Sequence, residues 1–369
     1  MGDVGIGQFF QPLVALLHDE DVEVRRAALV AAGKLKSRKF LPLILSGLED
    51  KRVREQALGA ALQFGVDAIP MVGSWLGEQS RPPEVRVCLA QICGRIGGDR
   101  AVAVLKTKLS DRDQDFRDAA LQALVLCSYE ARGRDAGDVA AAIRNEVENL
   151  TWALASIGDL GEQSSGVLLK SALSHELTKS QNRIMKLLSF ICPAESIEQA
   201  LALLRTESAE KRASALEVLD NLLDKDIKGM VLPVFDDLSA EARLSRLGAG
   251  VPRERLDRSA RLDEIVARAG GRASPWTQSC ALYEIGVLRE LGANRSLVEA
   301  LSHPAPIVRE TAAWALDQMN RPLDGELRAS ARTEPHAAVT RTIEWLDAGP
   351  SGRRASRPPP QGPGRSNGQ

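Results

Sequence analysis

The stretch that decides the fold is DEDVEVRRAALVAAGKL, residues 19–35. It joins an acidic turn, the pair Val24-Arg25, and a stripe of Ala and Leu with helical spacing. The same phrase returns at Val53-Arg54, Val85-Arg86, Phe116-Arg117 and Val308-Arg309. Over the first four copies, successive arginines lie about 29 to 32 residues apart, and a fixed period of this length is typical of a helical repeat array.

The register continues through the less regular middle of the chain. The position equivalent to Arg25 is taken there by Leu150, Gln181, Arg212 and Gln278, with one gap of double length before Gln278. Apolar residues three, four, seven and ten positions later fall on one side of a 3.6-residue helix. Each unit is therefore predicted to contain two antiparallel helices, and nine units in register exclude a chance match.

These patterns predict an all-α fold, a right-handed α-solenoid of about ten two-helix repeats. The acids at 19–21 are expected to cap the helix that carries Arg25, and Pro306 suits the first turn of a helix. The predicted divisions are an N-terminal array, an aberrant repeat with a polar loop, a C-terminal array ending in a capping helix at 339–346, and a disordered Pro/Gly/Arg-rich tail: 1–239, 240–274, 275–348 and 349–369.

Composition narrows the class of protein. Hydrophobic residues make up 44% of the chain but aromatic residues only 4%, which suits thin helical layers better than a large globular core. The formal net charge is −1, whereas a nucleic-acid-binding protein normally has a basic excess. Neither a long apolar run nor a signal peptide is present, so a soluble chain is expected. Five cysteines without paired spacing indicate small buried hydrophobes and a reducing compartment.

Paired helices, the acidic turn, the Val-Arg entry and the Ala/Leu stripe together resemble HEAT repeats. More narrowly, they resemble the short HEAT-like repeats first named in phycobilin lyases. Residues 148–161, 213–223 and 275–286 are also similar to a HEAT region of bacterial multidomain membrane proteins, where the repeats follow a domain like nucleotide translocases. The resemblance implies a scaffold that binds a protein, and the narrower one implies a membrane transporter or signalling protein as that partner, at the inner face of the membrane.

Catalytic and metal-binding patterns are largely missing from the sequence. His175-Glu176 is the only His-Glu pair, and His175 is expected at the surface in a turn between helices. The carboxylates of Asp236 and Asp237 are expected to be solvated or to cap a helix end, not to act as an acid/base pair. No phosphate loop or nucleophile elbow occurs. We therefore expect a non-enzymatic protein with no catalytic residue, metal or cofactor, located in the cytoplasm, with no nucleic-acid partner and no insertion into a membrane.

Two columns of residues are candidates for a specific role. The first is an arginine ladder, for which an ion-paired structural role is favoured over phosphate binding: Arg25, Arg54, Arg86, Arg117, Arg212 and Arg309. The second lies five residues later, pointing away from the buried stripe: Val30, Gly59, Gln91, Gln122, Ala155, Lys186, Glu217, Tyr283 and Trp314. Its two aromatic residues, with Trp276 nearby, are the predicted protein-binding site, although packing against neighbouring helices is slightly favoured as the explanation of Tyr283 and Trp314.

Two other functions stay open at this point. A bilin lyase, or a subunit of one, is the first alternative because short HEAT-like repeats can serve that chemistry, and co-purified pigment would indicate it. A DNA glycosylase built on HEAT-like helices is the second, and it predicts a basic groove, a catalytic Asp and salt-sensitive DNA binding.

Overall fold

The computed structural model describes residues 6–78, 80–111, 113–161, 166–206, 208–248, 255–267, 272–289 and 294–319. Within these ranges the chain is helical and contains no strand, which confirms the predicted all-α class. The α-helices are α1 Ile6–Leu17, α2 Val22–Leu35, α3 Leu41–Ser46, α4 Arg54–Leu62, α5 Ile69–Gly77, α6 Pro83–Ile96, α7 Gly98–Leu105, α8 Gln114–Leu126, α9 Arg134–Asp159, α10 Val167–Leu188, α11 Ala194–Leu204, α12 Ala209–Leu222, α13 Lys225–Phe235, α14 Ala240–Gly248, α15 Arg258–Ala267, α16 Pro275–Leu288, α17 Asn294–Ala300 and α18 Pro306–Gln318.

Short 3₁₀ segments extend several first helices: Arg38–Phe40, Gly47–Glu49, Gly65–Ala68 and Lys106–Lys108. The predicted capping helix at 339–346 and the predicted tail at 349–369 lie outside the described residues. The handedness of the array and the number of its repeats stay predictions.

Local sequence explains where the helices begin. Asp21 caps α2 by accepting a hydrogen bond from the backbone N–H of Glu23, which confirms the predicted acidic cap. The side chain of Asp113 accepts from the backbone N–H groups of Asp115 and Phe116 at the start of α8. Pro306 occupies the first turn of α18, as predicted, because the first turn needs no backbone N–H donor.

The chain divides into two compact units. Unit 1 comprises residues 1–149 and 179–247, and unit 2 comprises 150–178 and 248–369. In unit 1 the second helices α2, α4, α6 and α8 pack one on the next, whereas in unit 2 α16 packs on α18. Residues 150–178 thus group with the C-terminal part of the chain. The predicted divisions at 1–239, 240–274, 275–348 and 349–369 stay predictions.

The middle of the chain departs from the predicted short helix pairs. Leu150 and Gln181, which were expected near the start of second helices, lie inside the long helices α9 and α10. No Gly or Pro interrupts the sequence between Asp138 and Gly158, so the chain has no residue that ends a helix there. His175 likewise lies within α10, and the prediction that it occupies a turn is wrong, although its side chain is exposed.

Glycine allows close approach of successive second helices at three equivalent places. A Cβ added to Gly33 would lie 2.8 Å from the Cα of Ala60, and one added to Gly94 would lie 2.7 Å from the Cα of Ala123. In unit 2 a Cβ on Gly286 would lie 3.0 Å from the Cα of Ala315. Each glycine is the eighth residue after the arginine-ladder position, and each alanine is the sixth, as the following list shows: Gly33 after Arg25, Ala60 after Arg54, Gly94 after Arg86, Ala123 after Arg117, Gly286 after Gln278 and Ala315 after Arg309. These contacts set the spacing of the pairs α2–α4, α6–α8 and α16–α18.

Candidate functional site

The arginine ladder closes the turn between the two helices of a unit. Five of its six members donate a hydrogen bond to the backbone carbonyl six residues earlier: Arg25 to Asp19 (2.6 Å), Arg54 to Leu48 (2.7 Å), Arg117 to Asp111 (2.5 Å), Arg212 to Thr206 (3.3 Å) and Arg309 to His303 (2.6 Å). These carbonyls belong to the turn that precedes each second helix, where intrahelical donors do not reach. The guanidinium group therefore satisfies acceptors that the fold leaves open.

The same side chains connect one unit to the following turn. Arg25 pairs with Asp50 at 2.9 Å, Arg86 with Asp111 at 2.5 Å, and Arg212 with Asp237 at 3.1 Å. In each pair the acid lies 25 residues after the arginine. Because the guanidinium groups are engaged in these contacts, the geometry favours the structural interpretation of the ladder over phosphate binding.

One member of the ladder was missed in the sequence. Arg243 lies on α14, midway through the predicted gap of double length, and donates to the backbone carbonyl of Asp236 at 2.8 Å. It follows Arg212 by about 31 residues, which is the repeat period. The signal was hidden because Ala242, rather than a β-branched or aromatic residue, precedes it.

The two acidic motifs have specific structural partners. Asp236 follows the end of α13 and pairs with Arg246 at 3.0 Å, while Asp237 pairs with Arg212. In the pair His175-Glu176, the Glu176 carboxylate is buried and accepts hydrogen bonds from the Ser274 N–H and the Thr277 hydroxyl. Glu176 therefore stabilises the start of α16 through these hydrogen bonds, whereas the adjacent His175 side chain is exposed.

A buried polar network joins α8, α9 and α10 in unit 1. Arg183 is 1% exposed and donates to both carboxylate oxygens of Asp118, at 2.7 and 2.9 Å, and to Glu146 at 3.4 Å. Arg117 contacts the same Glu146 at 3.3 Å. Burial opposes the charge on Arg183, but hydrogen bonds and charge interactions with Asp118 and Glu146 outweigh it and raise its pKa. Burial lowers the pKa of Arg117, with Glu146 acting in the opposite direction.

This network was not found in the sequence because its members belong to different helices. Arg183 lies two residues after the neutral Gln181 that takes the ladder position on α10. Its place is therefore not a repeat position, and only the tertiary structure brings it to Asp118 and Glu146.

Exposed apolar side chains occur in both units, and unit 2 has two that are aromatic. Trp276 on α16 is 53% exposed and Tyr283 on the same helix is 42% exposed. The Tyr283 ring stacks on Trp314 of α18, with centroids 5.0 Å apart and planes 12° from parallel. Val287 on α16 and Ile307 on α18 are also exposed. We name Trp276, Tyr283, Val287, Ile307 and Trp314 the aromatic face.

Comparison of equivalent positions shows what distinguishes this face. The position two residues before the ladder, with Arg243 counted as a member, is exposed in eight units. In unit 1 it is charged, and in unit 2 it is apolar: Glu23, Arg52, Glu84, Asp115, Glu210 and Glu241, against Trp276 and Ile307. An exposed position that changes from charge to large apolar side chains in two adjacent repeats is typical of a protein-binding surface.

Trp314 combines packing and exposure. It is partly buried against the core of unit 2, and a Cβ on Gly286 would lie 2.7 Å from its Cζ3 atom. Gly286 thus provides the space in which the indole lies against α16 and reaches Tyr283. Of the three predicted site residues, Trp276 and Tyr283 are the more exposed, and the ring of Trp314 stacks on that of Tyr283.

Open surface in unit 1 includes a groove of about 970 Å³. Its lining combines apolar side chains such as Tyr129 and Ile197 with Lys186, Glu198 and Arg205. Lys186 is the member of the predicted outward column that lies here. The groove gathers both signs of charge and no set of side chains that would define one ligand.

The remaining column positions and the cysteines have ordinary environments. Gln91, Gln122 and Glu217 are exposed, whereas Ala155 is buried.

The five cysteines are free: Cys88, Cys93 and Cys280 are buried, and Cys127 and Cys192 are half-buried. Burial raises the pKa of the Cys93 thiol to about 12 and that of Cys280 to about 11, so these thiols are protonated at neutral pH.

Stacked helix pairs, a repeated Arg–acid connection and exposed second helices define this protein as a helical-repeat protein. Residues 41–125 match the family model of HEAT repeats, a stretch that runs from α3 into α8. Residues 41–125 are therefore assigned to HEAT repeats. HEAT repeats are generally scaffolds for protein–protein interaction.

No curated protein matches the chain. The narrower resemblance to a HEAT region beside nucleotide-translocase-like domains is not supported by these comparisons. Within the described ranges, no single helix is both long and apolar enough to cross a membrane, whereas the bent pair Arg54–Leu62 and Gly65–Gly77 reaches that length and composition together.

Proposed function

We propose that this chain is a non-enzymatic scaffold that binds a protein partner through the aromatic face of α16 and α18. The observation that carries the proposal is the change at the exposed position two residues before the ladder. In unit 1 this position bears charge, and in unit 2 it bears Trp276 and Ile307. HEAT repeats generally serve protein–protein interaction, which supports a protein as the ligand.

The chemistry of the face agrees with a protein ligand. Trp and Tyr are over-represented among the residues that dominate binding energy, since they bury a large area and lose little rotamer freedom. The Tyr283–Trp314 stack holds two of the rings in place before binding, which reduces the entropy lost on association. The proposal includes a cytoplasmic location, because five cysteines without paired spacing favour a reducing compartment. It does not include a transporter or signalling protein as the partner.

The test is affinity capture from native lysate with the full chain as bait. The variant Trp276→Ala/Tyr283→Ala removes the two most exposed rings and leaves Trp314, whose packing against Gly286 makes it unsuitable. The matched control is Val66→Ala/Leu126→Ala, which removes two exposed apolar side chains from unit 1. Circular dichroism establishes that both variants are folded.

The expected result is a protein captured by wild type and control but lost by the aromatic variant. If the two residues together contribute about 2 kcal/mol or more to binding, removing both weakens the affinity by at least about 30-fold. Equal capture by all three proteins would place the binding surface elsewhere. Pigment or nucleic acid co-eluting in place of a protein would favour the lyase or the glycosylase.

A further inference from the structure

The connections between helices at the start of unit 1 are of two kinds, and they differ in charge. Those within the first three helix pairs contain six acidic and three basic residues: 18–21, 49–53 and 78–82. Those that lead from each of these pairs to the next contain six basic and two acidic residues: 34–39, 63–67 and 95–100. We name the six basic side chains of the second kind the basic edge: Lys34, Lys36, Arg38, Lys39, Arg95 and Arg100. Positive charge is therefore concentrated at one kind of connection, although the whole chain is nearly neutral.

The three basic connections meet at one surface. Arg38 pairs with Asp67 at 2.9 Å, and both residues line the same cleft of about 580 Å³ as Arg100. All six members of the basic edge are exposed. Four of them form no ion pair with any residue that the structure describes: Lys34, Lys36, Arg95 and Arg100. Their charge faces solvent and is available to an external anion.

Lys36 carries its charge at a position where the backbone favours glycine. It follows the end of α2 with a φ of 51°, in the left-handed region where a helix C-terminus usually has Gly or Asn. An L-residue with a Cβ is strained there relative to glycine. Local stability therefore does not account for the lysine, whereas a role for its charge does.

An apolar component accompanies the charge. Leu35 is 40% exposed between two lysines, and Pro70, Met71 and Trp75 line the cleft between the arginines. Basic residues mixed with exposed aliphatic and aromatic side chains suit a bilayer with anionic lipids, where cations meet the headgroups and apolar groups enter the acyl boundary. A nucleic acid would engage the charges but leave Leu35 without a partner.

We propose that the basic edge binds the surface of a bilayer that contains anionic phospholipids, as a peripheral contact with Leu35 in the headgroup region. This site lies in unit 1, and it goes beyond the proposed function because it does not use the aromatic face. Each basic residue near such a surface strengthens binding about fivefold, and the attraction falls off within about 10 Å at 0.1 M salt.

The test is co-sedimentation of the full chain with vesicles of phosphatidylcholine containing about one-third phosphatidylserine, and with vesicles of phosphatidylcholine alone. An edge variant removes the four cations without an ion pair: Lys34→Gln, Lys36→Gly, Arg95→Gln and Arg100→Gln. A control variant removes four exposed cations elsewhere in unit 1: Lys51→Gln, Arg205→Gln, Lys211→Gln and Lys225→Gln. A third variant, Leu35→Ser, keeps every charge. Circular dichroism establishes that all three are folded.

We expect wild type to sediment with the anionic vesicles and to stay in solution with the neutral ones. The edge variant should bind at least about 100-fold more weakly, because four cations near the surface are lost. The control variant should stay within about threefold of wild type, since charges beyond a Debye length are screened. Leu35→Ser should bind at least about fivefold more weakly, because an apolar side chain no longer leaves water.

Three results would overturn the proposal: no binding of wild type to anionic vesicles, equal binding to neutral ones, or equal losses in the edge and control variants. Tighter binding to duplex DNA than to anionic vesicles at the same salt, unchanged by Leu35→Ser, would assign the basic edge to nucleic acid instead. Trp276→Ala/Tyr283→Ala should bind vesicles as wild type does. Failure of the proposed scaffold function and failure of membrane binding are therefore distinguishable.

Discussion

At the residue scale, His303 takes a place that aspartate holds in other units. Asp19 and Asp111 each precede a ladder arginine by six residues and accept from the backbone N–H two residues later. His303 precedes Arg309 by six residues, and its Nδ1 accepts from the N–H of Ala305 at 3.0 Å. This bond requires an unprotonated Nδ1, and burial lowers the pKa of His303 below its ordinary 6.5, with Arg309 adding to the effect.

The pH dependence of stability follows from that shift. Because the folded pKa is lower than the unfolded one, the stabilising contribution is complete above about pH 6.5 and is lost as pH falls below it. We expect His303→Asn, whose side-chain oxygen can accept the same bond, to lose less in melting temperature than wild type between pH 7.5 and 5.5. Thermal unfolding at both pH values measures this. His175→Asn, at an exposed site on α10, is the control and should behave as wild type; equal losses in all three proteins would contradict the assignment.

Arg183 supports a second prediction at this scale. Its removal would leave Asp118 without this bidentate partner and the buried Glu146 with Arg117 alone, and breaking a buried pair costs about 3–5 kcal/mol. We expect Arg183→Ala to lower the free energy of unfolding by an amount of this order in urea titrations. Arg132→Ala breaks the fully exposed pair with Glu130 and should change it by less than about 1 kcal/mol. A loss below about 1 kcal/mol in Arg183→Ala would show that the network is dispensable.

At the scale of the element, glycine spacing controls how closely second helices pack. Gly94 has no room for a methyl group beside Ala123, whereas a Cβ on Gly59 of α4 would meet nothing within 4 Å. We expect Gly94→Ala to destabilise by about 1–3 kcal/mol through overpacking, and Gly59→Ala to stabilise by about 0.5–1 kcal/mol through helix propensity. Chemical denaturation of both variants measures the difference. Stabilisation by both substitutions would mean that α6 and α8 can separate at no cost.

Elements differ in how far the sequence predicts them. The pair α1–α2 follows from the acidic turn and the apolar period, because local signals decide both the cap and the buried stripe. The long helices α9 and α10 could not be predicted in this way. The repeat period continues through them, and nothing in the sequence indicates that the expected turn is missing. The Gly–Ala contacts were also not predicted, because they depend on two helices about 30 residues apart, and an isolated helical glycine has no single meaning.

At the scale of the whole molecule, the sequence predicted the all-α class, and it predicted the HEAT repeats that the family model matches at residues 41–125. It did not predict the division into two units, because residues 150–178 join the C-terminal part through tertiary contacts of α9 and α10. It pointed to Tyr283 and Trp314 by their outward offset from the ladder, and to Trp276 as an aromatic residue near them. The exposure of Ile307 and Val287, which extends that site into a continuous face, required the structure.

The most direct test of partner binding by the aromatic face is hydrogen–deuterium exchange of the full chain with and without its captured protein partner. We expect slowed exchange in peptides covering 275–288 and 306–318 when the partner is bound, and unchanged exchange in α2, α4 and α6. Protection confined to unit 1 helices, with α16 and α18 exchanging as in the free chain, would contradict the account.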